Sequence, residues 1–134
     1  MNIDIEKPFR FRMDLVETDD RLPSFRVQVV VDAEHCGHRV GYRGTLWFEC
    51  SKWDEFVAGL DNVDDVGTSL VSMDRDFTYS IRLAHGEPTV WWGMKRGDKI
   101  DGKVEVVQVN LRFQIDEETL AQIRNHFTQF ARWW

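Results

Sequence analysis

The hydrophobic period changes three times along this chain, and that alternation of periods restricts the fold more than any other feature. Residues 9–15 alternate strictly: Phe9, Phe11, Met13 and Leu15 point one way, Arg10, Arg12 and Asp14 the other. Successive strand residues face opposite sides, so this pattern predicts a half-buried strand. Phe25, Val27, Val29 and Val31 predict a second, and Val40, Tyr42, Leu46, Phe48 and Cys50 a third. The period then switches to that of a helix. Trp53, Phe56, Val57, Leu60 and Val63 form one apolar stripe behind Ser51, the expected N-cap, with Asp54 and Glu55 expected in the first turn.

Alternation returns at Ser69–Asp74 and again at Phe77, Tyr79, Ile81 and Leu83. His85-Gly86-Glu87-Pro88 reads as a hairpin turn into Thr89–Lys95, and the segment 96–102 as the next connection. Residues 103–115 form a long strand with Val107, Val109, Leu111, Phe113 and Ile115 on one face. The chain closes on a second helical stripe, Leu120, Ile123, Phe127, Phe130 and Trp134, with Asp116 as N-cap and Glu117 and Glu118 behind it. Three strands, a helix, about four strands and a helix, joined by short hairpins, predict an α+β fold. The expectation is one twisted, mainly antiparallel sheet of about 6–7 strands with two helices over it, in the order βββ-α-ββββ-α.

A length of 134 residues fits one domain, taken as residues 1–134. Hydrophobic residues at 43 % and charged residues at 30 % argue against disorder, and no apolar run reaches the roughly 18 residues of a membrane span. The N-terminus Met1-Asn2-Ile3-Asp4-Ile5-Glu6 lacks the pattern of a signal peptide, and two cysteines, Cys36 and Cys50, are too few for a disulfide scaffold. A cytoplasmic location is the expectation.

The net charge of −6 disfavours phosphate backbones at long range, so no nucleic-acid partner is expected, and the lack of a long apolar run makes a membrane equally unexpected. The charge is unevenly placed. Residues 51–76 carry Lys52 and Arg75 against seven acidic residues, a net −5. Asp54, Glu55, Asp61, Asp64 and Asp65 therefore form a candidate docking patch for a basic protein partner. The alternative is an aromatic face. Arg43, Trp47, Arg82 and Trp91 fall on outward strand rows, and Trp and Arg combine large contact area with directional polar contacts. Trp91 and Trp92 are adjacent, so at most one of them can enter the core.

Motifs for chemistry are sparse. His35-Cys36-Gly37-His38, near Asp32, Glu34 and Cys50, offers zinc-type ligands without a second ligand pair, and reads as a hairpin tip; no metal and no cofactor are expected. Asp98-Lys99-Ile100-Asp101-Gly102 lacks the ligand run of a calcium loop and reads as a turn. His85 and His126 stand alone. There is no Gly-x-Ser-x-Gly elbow and no phosphate-cradling glycine loop.

The order of elements is similar to a known group. Leu46-Trp47-Phe48-Glu49-Cys50 runs into Ser51-Lys52-Trp53-Asp54-Glu55-Phe56 at a helix start, then hairpins lead to Val104–Phe113 and Asp116-Glu117-Glu118-Thr119-Leu120. Over residues 25–130 this resembles the WapI-type immunity proteins of bacterial polymorphic-toxin systems. The resemblance implies a non-enzymatic, cytosolic inhibitor that binds a cognate toxin domain and blocks it. A small-molecule-binding α+β domain, with a cleft between helix and sheet, is the alternative, followed by a small enzyme.

Overall fold

The computed structural model describes residues 2–134 and contains eight strands and two helices in the order ββββ-α-ββββ-α. β1 (Asn2–Ile5), β2 (Arg10–Asp19), β3 (Ser24–His35) and β4 (His38–Glu49) form one antiparallel sheet in chain order. α1 (Cys50–Gly59) follows, and β5 (Thr68–Val71), β6 (Phe77–Ala84), β7 (Glu87–Ile100) and β8 (Lys103–Gln114) form the second sheet. α2 (Glu117–Gln129) ends the regular structure. The α+β class and antiparallel pairing are as expected, whereas the single sheet of six or seven strands is replaced by two sheets of four. β1 is the added strand, short but alternating, with Ile3 and Ile5 buried.

The two sheets pack their apolar rows against each other. Phe11 of β2 stacks on Tyr79 of β6 at 4.8 Å and 19°, and Phe48 of β4 meets the edge of Phe77 at 6.0 Å. A one-sided apolar row states that a face is buried without stating what buries it, so one sheet under helices and two facing sheets read alike in sequence. The helices add to the same core. Trp53 of α1 touches Phe25 at 5.1 Å, and Phe127 of α2 touches Phe56 at 4.9 Å and Tyr79 at 5.9 Å. Trp92 is fully buried while Trp91 stays half-buried on the opposite face of β7.

Three hairpins turn on the same two-residue chemistry. Cys36-Gly37, His85-Gly86 and Asp101-Gly102 each hold positive φ at both positions, the arrangement that matches the twist of paired strands. Their registers close directly, with His35 opposite His38, Ala84 opposite Glu87 and Ile100 opposite Lys103. The expected connection over 96–102 is therefore mostly strand, with Asp101-Gly102 alone as the turn.

The helix starts differ from each other. Asp116 caps α2 as expected, its Oδ1 accepting the Thr119 N–H at 2.7 Å, and Glu117 and Glu118 occupy the first turn. α1 begins one residue before Ser51, after Glu49, whose side chain makes no cap; Cys50 N–H donates to the Pro23 carbonyl at 2.9 Å instead. Asp54 and Glu55 thus lie beyond the first turn. α2 stops at Gln129, and Phe130 is extended, so Trp134 is not on the helix stripe. The tail folds back, and Trp134 stacks on Phe25 at 5.3 Å and 16°.

Candidate functional site

The acidic stretch is not one free patch. The two carboxylate oxygens of Asp54 accept from Arg132 Nη1 at 2.8 Å and Trp134 Nε1 at 2.9 Å, so Asp54 anchors the C-terminal tail. Glu55 is paired with Lys52 at 3.3 Å. Asp64 Oδ1 accepts the N–H groups of Val66 and Gly67 at 3.1 and 2.7 Å, and its carbonyl accepts from Leu83 N–H at 2.8 Å. That carboxylate shapes the connection between α1 and β5. Asp61 and Asp65 remain exposed, without an ion pair within 4.0 Å among the described residues.

The proposed aromatic face divides in two, because the two outward rows belong to different sheets. Arg43 and Trp47 sit on the outer face of the first sheet, opposite Val30 and Arg26, with the Arg26 guanidinium 5.8 Å from the Trp47 ring. Arg82 and Trp91 sit on the outer face of the second, turned away from the first. There Arg82 lies 4.1 Å and Arg112 5.1 Å from the Trp91 ring. The four residues are therefore not a single surface.

A site that the sequence reading missed lies between the sheets at their open side. β6 ends its pairing where Phe77 meets Met94, so β7 beyond Met94 and β8 before Val109 continue as a two-stranded arm. Opposite the arm stands β4, which among the described residues pairs with β3 alone and leaves its other edge open. Met73 N–H closes that edge only at Trp47, donating to its carbonyl at 2.8 Å. The space between edge and arm is a cleft of about 780 Å³, lined by Tyr42–Leu46, Asp74 and Asp76, and by Met94–Val107 residues of the arm.

The cleft is mixed in chemistry. Asp74, Asp76, Asp98 and Glu105 contribute carboxylates, Arg43 and Arg96 guanidiniums, and Tyr42 a phenol. Burial, then the nearby Asp74 charge, pushes the Tyr42 hydroxyl above the ordinary tyrosine range. The arm exposes apolar side chains on both faces among its charges: Val104 is 74 %, Val107 59 %, Val106 53 % and Ile100 47 % exposed. Neighbouring strand residues face opposite sides, so adjacent exposed Val106 and Val107 put apolar surface on each. That doubling, Val104-Glu105-Val106-Val107 in sequence, is the signal that could have found the arm. Arg43 is the one residue of the two expected sets that lines this cleft, and the acidic stretch reaches it through Asp74 and Asp76.

His35 packs against Phe113 with ring centroids 4.2 Å apart and tilted by 39°, and among the described residues no group of three or more His, Cys, Asp or Glu side chains is arranged to hold a metal. No helix is long and apolar enough to cross a membrane among them. No protein-family model, no curated protein and no solved structure matches this chain.

Proposed function

We propose that this chain is a non-enzymatic binding protein, a cytoplasmic immunity protein that neutralises a cognate toxin by occluding it. The observation that carries the reading is the β7–β8 arm, with four large apolar side chains exposed beside an open, charge-lined cleft. Exposing contiguous apolar surface costs solubility, and proteins that keep it generally bury it against a partner. Aliphatic contacts at the centre and charges around them are the usual anatomy of such an interface.

The cleft has four carboxylates against two guanidiniums, which favours a partner with basic groups and is consistent with a nuclease-type toxin whose phosphate-binding cleft the immunity protein fills. Aliphatic side chains on the arm would supply the desolvated centre, and Asp74, Asp76, Asp98 and Glu105 the long-range attraction. The test is neutralisation in cells. A toxin domain encoded beside this gene is expressed with the wild-type chain or with a Val106→Asp/Val107→Asp variant. The reading expects growth with the first and arrest with the second, at equal soluble levels. Arrest with both would refute it.

A further inference from the structure

The outer face of the second sheet gathers cations that have no carboxylate partner. On the first sheet, Arg10, Arg12, Arg26 and Arg39 each have a carboxylate partner within 4.0 Å, and among the described residues Arg43 has none. On the second, Arg82, Lys95 and Arg112, together with Arg75 at the rim, have none among the described residues. Gathering unneutralised cations on one face costs self-repulsion unless an anion is bound there.

Three of these cations, Arg75, Arg82 and Lys95, line a built depression. The register aligns Ser80, Trp91 and Arg112 in one row and Thr78, Gly93 and Asn110 in the next. Gly93 puts no side chain at the centre, and a Cβ there would approach Asn110 Oδ1 to 2.9 Å. The result is a hollow of about 320 Å³, at the small end of ligand-site volumes. Its walls include Thr78, Ser80, Asn110, Arg75, Arg82 and Lys95, with Asp76 as the one carboxylate. Ser80 and Ser69 share a hydrogen bond at 2.7 Å, which fixes the hydroxyl row. Trp91 also lines the hollow, and its Nε1–H is buried without a partner among the described residues.

We propose that this hollow binds a small phosphate monoester. Three cations against one carboxylate leave two positive charges, the match for a dianionic phosphate, and guanidinium forks suit its oxygens. Hydroxyl and amide groups on both sides of Gly93 supply hydrogen bonds to the organic part, for which the volume leaves room. A nucleic-acid strand is the less suitable occupant, because arginines flank the Trp91 ring and leave it poorly placed to stack a base.

The test is a titration of the ¹⁵N-labelled full chain with glucose 6-phosphate, inorganic phosphate, glucose and a single-stranded oligonucleotide, at constant ionic strength. The Trp91 indole N–H, assigned with Trp91→Phe, and the Gly93 amide are followed. The proposal expects saturable shifts of both with glucose 6-phosphate, binding about tenfold tighter than inorganic phosphate, and no response to glucose. Arg82→Gln and Lys95→Gln, surface changes that should leave the fold intact, should each weaken binding by about tenfold. Gly93→Val should abolish it, with Thr78→Val as the milder check should that variant fail to fold. Absence of a saturable shift would overturn the proposal, as would equal affinity for free phosphate, tighter binding of the oligonucleotide, or binding indifferent to Arg82→Gln and Lys95→Gln.

Discussion

Asp54 on α1 holds Trp134, eighty positions later in the chain, through an indole N–H donated to its Oδ2 at 2.9 Å. The same carboxylate receives Arg132, and the indole it fixes lies flat against Phe25 of the core. A residue that resembles a surface charge in sequence is thus a clasp. Asp54→Ala should cost about 1 kcal/mol, the scale of partly exposed charged hydrogen bonds. Its tryptophan emission should shift red as Trp134 becomes hydrated. Fluorescence-monitored denaturation of Asp54→Ala beside Trp134→Ala checks this, and unchanged emission would mean that the tail is held without the clasp.

Phe127 is 1 % exposed and packs against Phe11, Trp53, Phe56 and Tyr79, joining α2 to both sheets and to α1. Phe127→Ala should therefore destabilise by about 3–5 kcal/mol, because lost transfer energy and a cavity add together. The urea midpoint measures it. A loss below about 1 kcal/mol would be incompatible with a core position.

Tyr79 is fully buried, and its hydroxyl has no hydrogen-bond partner among the described residues. Burial also pushes its ionisation far above the ordinary tyrosine range. An unsatisfied buried hydroxyl costs about 1–3 kcal/mol, so Tyr79→Phe should stabilise the protein by about 1 kcal/mol. Thermal denaturation of the two proteins checks the sign; a lower melting temperature for Tyr79→Phe would point to a bridging water.

The two thiols should separate by reactivity. Cys36 is exposed at a hairpin tip, whereas Cys50 is buried at the start of α1 and burial pushes its pKa up to about 11. At pH 8 iodoacetamide should label Cys36 alone, since the thiolate is the nucleophile. The folded value of Cys50 lies above the ordinary 9.0, so its contribution to stability is complete below pH 9 and is lost as pH rises toward 11. Peptide mapping after labelling at pH 8, native and in urea, reads this out. Labelling of Cys50 in the native protein would contradict its burial.

The elements were legible wherever one face is buried. Phe9–Leu15, Phe25–Val31 and Phe77–Leu83 each place their odd-numbered apolar residues inward, as alternation requires. The α2 cap was legible because Asp116 and the acidic first turn act locally. Features set by tertiary partners were not. α1 starts on Cys50 because Pro23, from another part of the chain, accepts its N–H. The division into two sheets escapes a local reading because an inward row looks the same under helices or under another sheet. The same division separates Arg43 and Trp47 from Arg82 and Trp91. The arm escaped because Val107 continues a row that is buried farther along β8, where Phe113 is 6 % exposed against 59 % for Val107. Sequence does not say where β6 stops covering β7.

The central claim is that the arm and cleft hold a protein partner. It is tested most directly by affinity purification from the native host, comparing the wild-type chain with Val106→Asp/Val107→Asp by quantitative mass spectrometry. Exposed strand positions tolerate such changes with little loss of stability, and circular dichroism verifies folding. The account predicts one protein that co-elutes stoichiometrically with the wild-type chain and falls by about tenfold or more with the variant, a loss of roughly 1.4 kcal/mol in affinity. A partner retained equally by both proteins, or a wild-type chain that elutes alone, would contradict it.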